Sequence, residues 1–303
     1  MMGKMRLIWL APLACAALEL FAHASIRNGV PADADYRAAA ERLRAQLRPT
    51  DAVSVAPPWI DPIVRQYLGD QMPLAMVGRP DLAAYERLWT ISIRGHRAVD
   101  APDQTANLER HFGGVTLRRY ALPRPTERYN LVELLQSAAV TVDKDGRSRR
   151  CRPYRGLPGP GGALGRGTIP PSERFQCGRD RDAMVAAVVV EDLALQPRYC
   201  VWHPALANQP ITVRFPQVEL SHTLIIDAGL YYEHERDEAH PPVTLQVHIN
   251  DQAQAPLVHH DGQGFLRHRI HTKPQTASLS FTATSQRTHN PGFCWSASIR
   301  DTP

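Results

Sequence analysis

From Tyr199 onward the chain alternates short apolar runs with polar turns, over and over, to its end. Residues 211–215, 222–228, 243–249, 265–270, 277–283 and 293–299 are set apart by Pro, Gly, Asn, Asp and Ser. In residues 244–250, Leu245, Val247 and Ile249 point one way and Gln246, His248 and Asn250 the other, which is the period of a strand with one buried face. Residues 277–283 repeat the pattern. Strands this short cannot bury a face alone. They must pair into sheets and the sheets must stack, so residues 199–303 predict a β-sandwich of jelly-roll type.

The first half has a different period. Residues 34–47 place Tyr36, Ala39, Leu43 and Leu47 on one helical stripe, with Asp33 or Asp35 to cap it. Residues 51–59 read as a short strand running into a Pro-Pro-Trp turn, and residues 62–68 as a helix opened by Pro62 and stopped by Gly69. Residues 88–94 and 115–122 are further strand candidates. Helices alternating with apolar strands predict a small, Rossmann-like α/β layer with a mainly parallel sheet over residues 25–122. Residues 123–198 are expected to connect the two: residues 130–142 extend a helix or a strand, residues 147–181, dominated by Gly, Pro and Arg, form an irregular excursion, and residues 184–190 restore an apolar strand. The fold class is thus α+β with two domains.

The cysteines must be read with the N-terminus. Lys4 and Arg6, an apolar run over residues 7–21 and the sequence Ala22-His23-Ala24 have the grammar of an export signal cleaved after Ala24. The apolar run holds Pro12 and Glu19 and is short for a spanning helix, so a retained membrane anchor is the second reading. Loss of residues 1–24 leaves Cys151, Cys177, Cys200 and Cys294. An even count in an exported chain predicts two disulfides. Cys151 with Cys177 closes the Gly/Pro-rich excursion, and Cys200 with Cys294 ties the first sandwich strand to the last. No C-x-x-C pair supports zinc.

Charge and motifs exclude several classes. The whole chain carries a formal net charge of only +5. Its one dense basic group, Arg147, Arg149, Arg150, Arg152 and Arg155, lacks the interleaved aromatics of a nucleic-acid binder apart from Tyr154. It is read as a solvated loop, with contact to an anionic envelope surface as the alternative. The Gly-rich run over residues 159–167 lacks the spacing of a phosphate-binding loop. No G-x-S-x-G motif and no H-E-x-x-H helix occurs. Ten of the thirteen histidines lie between His203 and His289, with two tight groups: His234-Glu235 with His240, and His259-His260-Asp261. These are read as surface histidines, with no metal and no cofactor expected.

Two segments resemble known families. Residues 51–69 followed by residues 85–95 (an acidic residue opening a strand, a Pro-aromatic turn, a helix with a Tyr, then an Arg-x-Trp strand) are similar to the soluble region of multi-span glycosyltransferases that use lipid-linked sugars. The many membrane helices and the acidic catalytic loop of those enzymes are missing here. The resemblance therefore implies an α/β accessory fold and no transferase activity. Residues 215–235, 241–251, 277–286 and 293–299 resemble the recurring strands of a galactose-binding-like jelly roll, which implies a fold that often binds sugars and often only packs.

Ligand candidates follow from these placements. Trp59 sits where the chain leaves the first strand, beside the usual crevice of an open α/β sheet. Tyr231 and Tyr232, next to His234 and Glu235, combine aromatic faces with polar edges, as a sugar platform requires. The expectation is an exported, periplasmic or extracellular accessory or binding protein whose partner is an envelope glycan or envelope protein, with no nucleic acid. A membrane enters only if the leader stays as an anchor. The competing reading is a hydrolase or transferase acting on envelope glycans through histidines and acidic residues of the second domain, Glu235 or Asp261 among them.

Overall fold

A computed structural model describes residues 10–158, 170–178, 183–206, 209–236, 240–287 and 292–302. The chain divides into unit 1, Met1–Pro73 with Tyr85–Pro123, and unit 2, Leu74–Ala84 with Arg124–Pro303. The first nine residues of the expected leader and the Gly-rich run over residues 159–167 lie outside the described residues.

In unit 1 helix α1 (Leu10–Asn28) continues through the expected cleavage point between Ala24 and Ser25. Among the described residues no helix is long and apolar enough to cross a membrane. Helix α2 (Asp33–Arg44) buries Tyr36, Ala39, Ala40 and Leu43, the stripe that the spacing predicts. Asp35 in its first turn accepts the Ala32 N–H at 3.1 Å and the Gly114 N–H at 3.1 Å. A side chain at Gly113 would collide with that carboxylate, and its φ of +52° favours glycine as well. Helix α3 (Asp61–Leu68) buries Val64 and Leu68 and ends at Gly69, whose φ is +56°.

The unit 1 sheet corrects the sequence reading. Strands β1 (Asp51–Ala56), β2 (Arg87–Ile93), β3 (Leu108–Phe112) and β4 (Val115–Ala121) lie in the order β1-β2-β4-β3. Only β1 and β2 are parallel; β2–β4 and β3–β4 are antiparallel. The mainly parallel, Rossmann-like sheet is therefore replaced by a mixed one. The reason is local: Gly113-Gly114 turns β3 straight back into β4, so no helix crosses over between them.

Unit 2 is a β-sandwich. Its strands are β5 (Glu127–Asn130), β6 (Ala139–Lys144), β7 (Arg147–Arg150), β8 (Arg152–Arg155), β9 (Glu173–Gln176), β10 (Met184–Glu191), β11 (Pro197–Trp202), β12 (Ile211–Leu220), β13 (Thr223–Leu230), β14 (Val243–Ile249), β15 (Gln252–Ala253), β16 (Leu257–His259), β17 (Leu266–His271), β18 (Gln275–Ser285) and β19 (Phe293–Arg300). One sheet runs β17-β13-β19-β11-β10-β9-β8, with β5 also on β19; the other runs β15-β14-β18-β12-β6-β7, with β16 also on β14. All six strands expected beyond Tyr199 form. The stretch 123–198 does more than connect: it supplies β5 to β10, of which β10 is the strand expected over residues 184–190, and both sheets need it.

The inward alternation closes the core. Leu245 and Val247 of β14, Val213 and Phe215 of β12, and Leu279 and Phe281 of β18 meet Leu224 and Ile226 of β13 and Trp295 and Ala297 of β19. Phe281 stacks on Trp295 at 4.2 Å, and Phe215 meets Phe281 edge-on. The Trp295 indole N–H donates to His203 Nδ1 at 3.0 Å, so the proton of that imidazole sits on Nε2, which donates to the Ile211 carbonyl at 2.8 Å. Complete burial holds the His203 pKa down at about 4.

Both expected disulfides are present, Cys151–Cys177 and Cys200–Cys294. Residues 74–84 run beside β11. Tyr199 N–H donates to the Gly78 carbonyl at 2.7 Å, and a side chain at Gly78 would lie 2.5 Å from the Tyr199 nitrogen. Asp81 on the same segment pairs with Arg300 at 2.8 Å and Arg267 at 2.7 Å. Burial pushes the nearby Glu127 carboxyl up to about 7, against the Arg300 guanidinium, with Asp81 adding to the rise.

Candidate functional site

Beyond Leu230 the chain makes one helical turn, α4 (Tyr232–Glu235), and the turn folds its last side chain back under itself. The Glu235 N–H donates to the Tyr231 carbonyl at 3.0 Å, and the Tyr231 N–H donates to the Gly292 carbonyl at 3.0 Å. Glu235 is fully buried. Its Oε1 accepts the Gly264 N–H at 2.6 Å, and its Oε2 accepts the Leu230 N–H at 3.2 Å and His259 Nε2 at 3.0 Å. A carboxylate can only accept here, so the His259 proton facing it is on Nε2. The Glu235 carbonyl in turn accepts the Gly262 N–H at 2.9 Å. One side chain thus pins the turn to residues 259–264.

A second buried carboxylate lies beside it. Asp261 takes His240 Nδ1 at 3.2 Å on one oxygen and the Arg287 guanidinium on the other. Arg287 is shut away from solvent, and its Nε donates to the Pro241 carbonyl at 2.8 Å. Strand register explains the placement. Val243 pairs with His259 on one side and with Ser285 on the other, so Pro241, Asp261 and Arg287 form the next row outward, past the strand ends. Paired and hydrogen-bonded charges thus close one end of the sandwich where the apolar core stops.

Above this base stand the residues that reach solvent. Tyr231, Tyr232, Glu233 and His234 are half-buried and Arg236 is exposed. The rings of Tyr231 and His234 are 6.2 Å apart, and the Arg236 guanidinium lies over Tyr232 at 5.6 Å while pairing with Glu233 at 2.8 Å. Burial raises the Tyr231 phenol above its ordinary pKa, and the carboxylates of Glu233 and Glu191 add to the rise.

Of the expected ligand residues, Tyr231, Tyr232 and His234 share this rim. Glu235 does not present itself to solvent: it is the anchor beneath them. Trp59 belongs to unit 1, on the turn Pro58–Ile60 after β1, and is 59% exposed. The two histidine–acid groups seen in the sequence do meet, as His259 with Glu235 inside the molecule and as the half-buried His240 with Asp261. The expectation that these are surface histidines therefore fails for His259, because Glu235 needs a donor there. Among the described residues no group of three or more His, Cys, Asp or Glu is placed to hold a metal ion. Arg287 and Gly264 gave no signal in the sequence, since their roles depend on loops far apart in the chain.

Several solved structures similar to this chain are carbohydrate-binding modules. The CBM51 module from Clostridium perfringens GH95 in complex with methyl-galactose is 6% identical, covering 38% of this chain and 79% of that one, with a TM-score of 0.28. CBM51-2 in complex with GlcNAc and INT domains from Clostridium perfringens ZmpB is 9% identical over 66% of this chain, at a TM-score of 0.31. The tandem CBM51 modules of Sp3GH98 from Streptococcus pneumoniae SP3-BS71 are 8% identical over 62% of this chain, at a TM-score of 0.30. This chain spans less than two thirds of the last two, 45% and 56% respectively. No protein-family model and no curated protein matches the chain.

Proposed function

We propose that this is an exported glycan-binding protein that acts by binding, and that the rim Tyr231, Tyr232, Glu233, His234 and Arg236 contacts the sugar. The observation that carries the proposal is the seat of the turn. Two tyrosines are held from beneath by a carboxylate whose oxygens are all engaged, so the rim is fixed before any ligand arrives. An aromatic face suits the apolar side of a sugar ring, and Glu233, His234 and Arg236 supply donors and acceptors for its hydroxyls. The two disulfides suit an oxidising, extracytoplasmic compartment, as does the leader. An envelope glycan is the ligand this reading names.

Turnover is the poorer reading. Acid–base hydrolysis needs a carboxyl group in reach of the substrate. Glu235 and Asp261 are buried and spend their oxygens on the protein itself. The test is a glycan array followed by NMR titration of the full chain. Tyr231→Ala with Tyr232→Ala should lower affinity at least tenfold, about 1.4 kcal/mol, with the melting temperature held. Unchanged affinity in that double variant removes the site. Hydrolysis by the pure protein, lost in Glu235→Gln, replaces binding with catalysis.

A further inference from the structure

The geometry points to a second, independent interaction surface: the basic edge of unit 2 binds a linear acidic polysaccharide through the exposed arginines of β7 and β8. It goes beyond the tyrosine rim and does not rest on it.

The edge is built by a sheet switch. β7 is the outermost strand of one sheet and β8 the outermost strand of the other. They are joined only by Cys151, whose N–H donates to the Val140 carbonyl at 2.8 Å and whose sulfur is bonded to Cys177. The chain therefore runs along one side of the sandwich, and all eight residues of the two strands are exposed. Residues 143–155 with 173–176 hold seven basic side chains and three acidic ones, against a net charge of +5 for the whole chain. Most of the protein's excess charge is gathered in this one stripe.

Its cations divide into two sets. Arg149 donates to the Cys177 carbonyl at 3.2 Å, Arg155 pairs with Glu173 at 3.5 Å, and Arg174 donates to the Pro171 carbonyl at 2.6 Å. Lys144, Arg147, Arg150 and Arg152 make no ion pair among the described residues. Guanidinium groups match planar oxyanions such as carboxylate and sulfate two bonds at a time. Spread over two successive edge strands, they suit an extended polymer better than a single small anion.

Two features select the polymer. The disulfide at the centre of the stripe belongs to an oxidising compartment, where acidic polysaccharides are the accessible linear polyanions. The one exposed aromatic in the stripe, Tyr154, has a face of its ring covered by the Arg174 guanidinium at 3.8 Å, while Phe175 is buried in the core. One ring with one face already taken is a poor platform for the successive bases of a nucleic acid.

The full chain is tested against immobilised polygalacturonate, dextran sulfate, neutral dextran and duplex DNA, and against phosphatidylglycerol vesicles, at roughly 50 and 200 mM salt. Both acidic polysaccharides should bind and neutral dextran should not, with affinity falling at least tenfold at the higher salt. Arg147→Ser, Arg150→Ser and Arg152→Ser together should weaken polysaccharide binding at least tenfold and flatten its salt dependence, with both disulfides and the melting temperature retained. Tyr231→Ala with Tyr232→Ala should leave it unchanged, which separates this surface from the rim. The proposal is overturned by no polysaccharide binding at low salt, by wild-type affinity in the triple variant, or by tighter binding to DNA or vesicles. In the first case the charges only keep the two sheet edges from pairing with other chains.

Discussion

Each unit is organised around one fully buried carboxylate, and the two are held in opposite ways. In unit 1, Asp51 opens β1 and takes charged partners: Arg87 Nε and Nη2, both at 2.6 Å, with the Trp89 indole N–H at 2.9 Å and the Arg48 N–H at 2.9 Å. Burial would raise this carboxyl; those four contacts outweigh it and hold the pKa below the ordinary value. In unit 2, Glu235 closes a one-turn helix and takes two backbone N–H groups and an imidazole. Asp51 has a permanent countercharge. Glu235 is held by neutral backbone donors on both oxygens. The first arrangement locks a sheet edge, and the second seats a loop that carries candidate ligand residues.

The largest expected effect lies at Asp51. Asp51→Asn keeps the shape and leaves Arg87, 15% exposed at its side chain, without its countercharge. Breaking a buried pair on one side costs about 3 kcal/mol or more. Hydrogen exchange of peptides from β1 and β2 should accelerate by about two decades, while peptides of β13 and β19 keep their protection. Equal acceleration in both units would mean that the two carboxylates do not govern separate units.

The two hubs also differ in how far the sequence exposes them. Arg87 and Trp89, two apart on a strand, must share a face, and the acidic residue opening the preceding strand was visible beside them. Register then sets Asp51 opposite Arg87. Glu235 offers no such pattern. Its partners are 24 and 29 residues further on, in loops with no period, so the sequence leaves it beside the tyrosines as a surface ligand. Strands β12, β14 and β18 were legible because one face of each is buried, and β13 and β19, buried on both faces, were legible as apolar runs between turns. β7 and β8 were hidden because neither buries a face, and β3, Leu108–Phe112, because its three central residues are exposed. A hairpin there, rather than a helix, is what turned the expected parallel sheet into a mixed one.

A change of pH should pull the units apart further. His203 has a folded pKa of about 4 against an ordinary 6.5, so between those values only the unfolded chain takes up the proton. Its contribution to stability is lost as pH falls through that range, about 3 kcal/mol in all. Glu127, at about 7 against 4.5, behaves in the opposite sense. Its contribution is complete below pH 4.5 and is lost as pH rises through 7, by a similar amount. The two slopes oppose each other in unit 2, and urea unfolding of the wild type should change little between pH 4.5 and 6.5. Glu127→Gln removes one slope, so unit 2 of the variant should weaken steeply with acid across that interval. Unit 1 should hold, since Asp51 gives up its contribution only below 3.8, as pH falls through its folded value. A variant as flat as the wild type would exclude His203 as the acid-sensitive group.

The smallest effect is expected at Glu235, and it is the one that separates a seat from a catalyst. In Glu235→Gln one carboxylate oxygen becomes an amide NH2. Either orientation sets a donor against a donor: Gly264 N–H loses its acceptor in one, and Leu230 N–H in the other. With the amide nitrogen toward Gly264, the amide oxygen keeps Leu230 N–H and His259 Nε2, and the cost reduces to one unsatisfied buried N–H, about 1–3 kcal/mol. That is less than the loss at Asp51, where a guanidinium cannot neutralise itself. The loss should appear as faster exchange at Leu230 or Gly264, and glycan affinity should fall only as far as the Tyr231–Arg236 turn loosens. Unchanged exchange at both amides, together with an abolished glycan response, would mean that Glu235 meets the sugar itself and would reverse the roles assigned to the rim and its base.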